Sequence, residues 1–339
     1  MALRAKDIAE MLGVSTASVS LVLNNKPGVG EQKRQEIIQK IKELGCEYML
    51  KEAPVNKGYI GFVVYKKTGQ IIDESPFFTY ILEGINSSIT SHGYNLNFIY
   101  LNQDMTVEMQ SAQLKSAGCE GFIIFGVEMQ REDLQVFIDT GLPFSVLDNS
   151  FQESDVDSVV INNAQGTSKA VQHLYDMGHR KIGYIRCSVR INSFEERYGE
   201  YRKWMRHLGL PVREEYMIDA GYSEAEVRKA AKEYFEKASD FPTAFFAEND
   251  FLACGAMQAM QELGIKVPDD ISVIGFDDRP IAQMVQPKLT TVNVPKDIFG
   301  PAAVDLLMSK IRTGREQSVK LEIGTNLIRR DSVKKIENQ

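Results

Sequence analysis

Residues 5–24, Ala5-Lys6-Asp7-Ile8-Ala9-Glu10-Met11-Leu12-Gly13-Val14-Ser15-Thr16-Ala17-Ser18-Val19-Ser20-Leu21-Val22-Leu23-Asn24, read as two short helices joined by a tight turn. Ile8, Ala9 and Leu12 fall on one face of the first helix, and Val19, Val22 and Leu23 on one face of the second. Gly13 stands where the turn favours a residue that tolerates positive φ, and Ser15 suits the N-cap of the second helix. Ala9 is small enough for a close crossing that Val19 can plug. The outer surface of the second helix then carries Thr16, Ala17, Ser18, Ser20 and Leu21, small tips that fit a DNA major groove. An ordinary αα-hairpin has the same spacing, so the decision falls to the rest of the chain.

Outward from this stretch, Lys26-Pro27-Gly28-Val29-Gly30 forms a turn. A third helix follows, with Ile37, Ile38, Ile41 and Leu44 as its buried stripe and Gly45 closing it. The segment 51–58, broken by Pro54, is polar and aperiodic and reads as a linker. The whole chain of 339 residues carries a net charge of −7, whereas residues 1–51 hold eight Lys/Arg against six acids. The head is therefore weakly basic on an acidic body, a balance that by charge alone does not define a nucleic-acid binder. Cys46, Cys119, Cys187 and Cys254 are scattered singly, which points to neither a zinc site nor a disulfide framework. No apolar run is long enough for a bilayer and no signal-peptide core follows Met1, so a soluble, reduced, cytoplasmic protein is expected.

From Tyr59 onward the pattern alternates. Apolar, β-branched or aromatic runs occur at 60–65, 97–100, 121–125, 144–147, 181–185, 243–246 and 272–276. Amphipathic stretches such as Phe78, Ile81, Leu82, Ile85 and Ile89 separate them. Strands alternating with helices imply doubly wound parallel sheets, and their number implies two similar lobes. A ligand of such sheets binds outside the carboxyl ends of the strands, here between the lobes.

Several motifs now fall in order: Lys6-Asp7-Ile8-Ala9 through Val22-Leu23-Asn24 at the head, then Ser75-Pro76-Phe77-Phe78, Gly121-Phe122-Ile123-Ile124 and Gly178-His179-Arg180-Lys181-Ile182-Gly183. Ala247-Glu248-Asn249-Asp250, Val267-Pro268-Asp269-Asp270-Ile271-Ser272-Val273-Ile274-Gly275-Phe276-Asp277-Asp278 and Leu289-Thr290-Thr291 complete the set. In this order and spacing the chain resembles the LacI/GalR family of transcriptional regulators over nearly its whole length. The resemblance implies a helix-turn-helix head at 1–46, a linker or degenerate hinge at 47–58, and a periplasmic-binding-protein-like core at 59–339. The two lobes of that core would comprise roughly 59–161 with part of the C-terminal region, and 162–290 with the rest.

The resemblance implies operator DNA with two-fold-related half-sites, a small-molecule effector of carbohydrate type, and a homodimer with no membrane partner and no cofactor. Repressor over activator, and sugar over purine, are family expectations. In the head, Thr16 and Ala17 would face base edges, Ser15, Ser18, Ser20 and Asn24 would hold phosphates that set register, and Lys6 would be a further DNA-binding residue. The family commonly has Arg where this chain has Leu21, which can meet only a thymine methyl. Family members also continue into a hinge helix with a minor-groove leucine, whereas the shorter linker here contains Pro54, so weaker operator bending is expected. In the core, Asp148, Arg197, Asn249 and Asp277 match positions that hold ligand hydroxyls or carboxylates. Tyr222 matches a stacking aromatic, Phe77 and Phe78 match the other lobe's lining, and Ser193 completes the set. Each also has a plain structural use: Phe77 and Phe78 as core, Asp148 and Asp277 as helix caps, Arg197 as an ion-pair partner. The stretch 66–74 is longer than usual for the family and is expected to add Lys or acidic contacts to the pocket. A regulator answering to a partner protein or to no effector fits the same sequence. A sugar-binding or metabolic protein on this core is remoter, since His92, His173, His179 and His207 lack metal-ligand spacing and Gly28-Val29-Gly30 does not follow a strand.

Overall fold

The computed structural model describes residues 4–26, 28–50, 56–74 and 77–337, which form two units, residues 1–57 and 58–339. Pro27, Pro54, Ser75 and Pro76, named above, lie outside the described residues.

The head consists of α1 (Ala5–Leu12), α2 (Thr16–Leu23) and α3 (Glu31–Glu43). Gly13 ends α1 at φ 64°, in the left-handed region, and the Val14 amide donates back to the Ala9 carbonyl at 3.1 Å. The Ser15 hydroxyl accepts the Ser18 amide at 3.0 Å and so caps α2. Ile8, Val19, Ile37 and Ile41 are fully buried where the three helices meet.

The core alternates strands and helices because its apolar runs switch between periods of two and about 3.6 residues. Its strands are β1 (Tyr59–Lys66), β2 (Asn95–Asn102), β3 (Cys119–Phe125), β4 (Phe144–Leu147), β5 (Asp157–Ile161), β6 (Ile182–Cys187), β7 (Met217–Ala220), β8 (Ala244–Ala247), β9 (Ser272–Asp277), β10 (Thr290–Asn293), β11 (Lys320–Ile323) and β12 (Asn326–Ile328). They form two sheets of six, ordered β11-β5-β4-β3-β1-β2 and β12-β10-β9-β8-β6-β7. All pairings are parallel except β10 with β12. After β5 the chain passes to the second lobe. The helix Lys296–Thr313 returns to pack on β3, β4 and β5, β11 joins the first sheet, and β12 ends in the second. Each lobe is thus completed by a piece from the C-terminal region. One apolar cluster, including Phe62, Phe125, Tyr184 and Phe246, runs through both lobes.

Candidate functional site

A narrow cavity lies between the two sheets. Its walls come from the carboxyl ends of strands: Phe125 and Val127 at β3, Asp148 after β4, Ile161 at β5, Ile191 and Ser193 after β6, Tyr222 after β7, Asn249 after β8, and Asp277 at β9. That is where doubly wound sheets hold their ligands.

Asp277 is the centre of the polar wall. The Arg279 Nε and Nη2 donate to its Oδ2 at 3.0 and 2.9 Å, and Arg197 Nη2 stands 3.4 Å from its Oδ1. Arg197 is 3% exposed; its Nε donates to Asn163 Oδ1 at 2.8 Å, its Nη1 to the Glu248 carbonyl, and its guanidinium lies 3.7 Å over the Phe276 ring. Arg279 continues the chain of contacts, its amide donating to Asp250 Oδ2 at 2.7 Å. Lys296 Nζ donates to the carbonyls of Asp277 and Asp278 at 2.6 and 3.0 Å. Such charge-assisted bonds offset the desolvation of two buried guanidiniums.

Asn249 spends its Oδ1 on the Leu252 amide at 2.9 Å, capping the helix Asp250–Glu262, and its Nδ2 donates to the Tyr222 hydroxyl at 2.9 Å. Asp148 faces the cavity, and among the described residues no hydrogen-bond donor reaches its carboxyl. Burial pushes that carboxyl up to about 7 against the pull of Arg197. Three aspartates at the strand ends hold positive φ: Asp148 at 65°, Asp277 at 103° and Asp278 at 51°. Side chains rarely adopt such backbone, and where it persists the surrounding structure imposes it.

Seven of the eight expected effector residues (Phe77, Asp148, Ser193, Arg197, Tyr222, Asn249 and Asp277) line this one cavity. Phe78 does not. It packs against the rings of Phe125, Phe98 and Phe62 at 5.7, 6.0 and 6.4 Å, because consecutive residues of the short turn Phe77–Tyr80 point in different directions. Among the described side chains of this stretch, residues 66–73, none contributes a charge to the cavity, contrary to expectation. Lys66 pairs with Asp73 and Lys67 with Asp133, and Ile71 and Ile72 form the wall instead. Sequence reasoning misses Arg279, although it stands two residues beyond Asp277 and directly after the motif that ends at Asp278.

In the head, Thr16 and Ala17 are exposed at the start of α2, as are Lys6, Ser15, Ser20 and Asn24. Ser15 and Ser18 bring their hydroxyl oxygens within 2.9 Å, and Asn24 Nδ2 donates to the Ser20 carbonyl at 2.9 Å. Leu21 is only half-exposed. A side chain begun at Gly28 would meet its Cδ1 at 3.3 Å, so it covers the turn after α2 as well as facing outward.

A helix-turn-helix head joined to a two-lobed core with a polar inter-lobe cavity defines a ligand-responsive DNA-binding protein. Residues 5–47 match the family "Bacterial regulatory proteins, lacI family", and residues 171–333 match the "Periplasmic binding protein-like domain". The HTH-type transcriptional repressor PurR of Pectobacterium carotovorum is 31% identical over 333 residues, covering 97% of this chain and 96% of that protein. PurR of Photobacterium profundum is 29% identical, covering 97% and 98%. Among solved structures, the transcriptional regulator CelR–cellobiose complex superimposes with a TM-score of 0.73 at 25% identity, covering 98% of this chain and 100% of that one. The lac repressor dimer bound to operator and the anti-inducer ONPF has the same fold, with a TM-score of 0.71 at 22% identity over 98% of this chain and 100% of that one. The chain belongs to the lacI family of bacterial regulatory proteins. It is a DNA-binding transcriptional regulator with an effector-binding core, not an enzyme.

Proposed function

We propose that this regulator is a cytoplasmic, homodimeric repressor whose operator affinity is set by a sugar or sugar derivative held between its lobes. The observation that carries the effector reading is the single cavity that gathers Arg197, Asp277, Tyr222 and Asp148. A guanidinium fork, carboxyls and an aromatic edge are the groups that recognise hydroxyl-rich ligands. The relatives named as repressors support repression, and the cellobiose complex of CelR supports a sugar effector. Half-exposed Tyr80, Phe98 and Tyr100 on the first lobe support a dimer surface. Sedimentation is expected to give twice the monomer mass.

The effector is found by a thermal-shift screen of the whole protein against mono- and disaccharides, sugar phosphates and purines. A ligand at a hundred times its dissociation constant adds about 2.7 kcal/mol to the folded state. A hit that also changes operator binding supports the reading. A blank across the panel favours a regulator governed by a partner protein.

On the DNA, Thr16 and Ala17 read base edges while Lys6, Ser15, Ser18, Ser20 and Asn24 position the head. Leu21 offers a thymine methyl its only partner, so no guanine contact forms there. A footprint in which guanine is essential under Leu21 would overturn this. With Pro54 in the linker, the operator bends less than in the typical member, and a strong central kink in a bending assay excludes that.

A further inference from the structure

Asp277 and Asp278 close β9 at φ 103° and 51°, two successive residues in backbone that side chains rarely adopt. Such a turn persists only where its surroundings hold it. Several ties come from the second lobe itself. Arg197 and Arg279 take the Asp277 carboxyl, Arg330 takes the Asp278 carboxyl at 2.5 Å, and Asp250 accepts the Arg279 amide at 2.7 Å. The carbonyls of the turn are held from elsewhere.

The chain leaves the second lobe after β10, passes Val294 and Pro295, and begins the helix Lys296–Thr313 that packs on the first lobe's β3, β4 and β5. Lys296 is the first residue of that helix, and its Nζ reaches back. It donates to the carbonyls of Asp277, Asp278 and Val294 at 2.6, 3.0 and 3.3 Å, which occupies all three donors of an ammonium. The same ammonium lies 5.9 Å from the centre of the Phe77 ring, and the Arg279 guanidinium lies 5.5 Å from it. Phe77 lines the cavity from the first lobe, whereas Lys296 stands behind the lining.

We infer that Lys296 is a positioning residue of the effector site. Its ammonium holds the carbonyls of the left-handed turn, and the turn aims the Asp277 carboxyl into the cavity. The helix that carries the lysine fastens both to the first lobe, so the geometry at Asp277 depends on how the two lobes meet. The inference rests on the cavity being the effector site.

The test is amide exchange by mass spectrometry on the full chain, unmodified and with Lys296→Met or Lys296→Arg. Methionine keeps the apolar stem but donates nothing, while arginine donates from a planar fork that cannot bring one nitrogen to three carbonyls. Lys296→Met is expected to speed exchange about tenfold or more over residues 277–283, while β6 and β8 keep their protection. Lys296→Arg is expected to fall between the two. Unchanged exchange over 277–283, or an acceleration spread evenly over the second lobe, overturns the inference. So does an arginine variant no better than the methionine one. Should Lys296→Met fail to fold, Lys296→Arg decides, and exchange there equal to that of the unmodified protein overturns the inference. Isothermal titration with D-glucose, D-galactose, D-ribose and cellobiose gives a second readout. For any of these that binds, Lys296→Met is expected to weaken binding about tenfold or more, with Lys296→Arg between. A sugar that binds all three proteins equally removes the positioning role and leaves the effector site standing. Binding of none to the unmodified protein counts against the sugar reading, and exchange alone then decides the role of Lys296.

Discussion

Arg197 reads from the sequence as a ligand contact, and the structure gives it three bonds inside the protein as well. Removing it takes a donor from Asn163 and the Glu248 carbonyl and leaves Asp277 with Arg279 alone of its two guanidiniums. Arg197→Ala is therefore expected to lose about 3–5 kcal/mol of stability in denaturant titration, the cost of breaking a buried ion pair. A ligand-binding defect in that variant is interpretable only beside its unfolding curve. Asp148 behaves differently, since burial raises its carboxyl to about 7 against about 3.9 in an unfolded chain. Between those values the folded state holds a proton that the unfolded state has lost, so stability falls as pH rises from about 4 to about 7. Asp148→Asn is expected to flatten that slope in melting curves taken across this range. Glu248 and Asp250 are raised in the same direction, so part of the slope persists.

At the scale of elements, α2 and the stretch bound to Glu128 each make a separate forecast. Leu21→Arg restores a side chain able to bond guanine in two places, and the variant is expected to gain about 1–3 kcal/mol for operators with guanine at that position. Competition binding with paired operators measures it. Glu128→Gln puts an NH₂ group where a carboxylate oxygen accepted the amides of Lys67, Thr68 and Gly69. Amide exchange over residues 67–72 is expected to accelerate while the strands keep their protection, as read by mass spectrometry.

The elements legible in the sequence are those whose signals are local. The turn at Gly13, the cap at Ser15 and the apolar stripes of α1 to α3 announce themselves within a few residues. The runs behind β1, β3, β4, β6, β8 and β9 are apolar because both faces of a parallel sheet are covered. Met217–Ala220, Thr290–Asn293 and Asn326–Ile328 are three or four residues long and carry polar side chains, so only pairing with a distant strand makes them strands. Seven of the cavity residues can be named from the sequence because the family resemblance carries their positions, and four of them, Asp148, Tyr222, Asn249 and Asp277, stand at or just beyond strand ends. Nothing local separates Phe77, which faces the cavity, from Phe78, which faces the core. The inward turn of Ile71 and Ile72 depends on Glu128, more than fifty residues away.

For the whole molecule, the head has an apolar cluster of its own, whereas the two lobes share a large one beside a smaller one confined to the first lobe. Calorimetry of the full chain is expected to show two transitions, a small one for the head and a single large one for the core. A saturating effector is expected to move only the large one. Separate melting of the two lobes would contradict the shared cluster.

The three aspartates in left-handed backbone have a consequence for how this regulator can change over generations. Asp, Asn and Gly are the residue types that best tolerate such a conformation, and an Asp codon lies one base change from codons for the other two. Asp148, whose carboxyl no donor among the described residues holds, can therefore be exchanged for an amide or for nothing in a single mutational step without refolding the loop beneath it, whereas Asp277 and Asp278 stay tied to Arg197, Arg279 and Arg330. The descendants of such a gene can explore new effectors while inheriting the same scaffold.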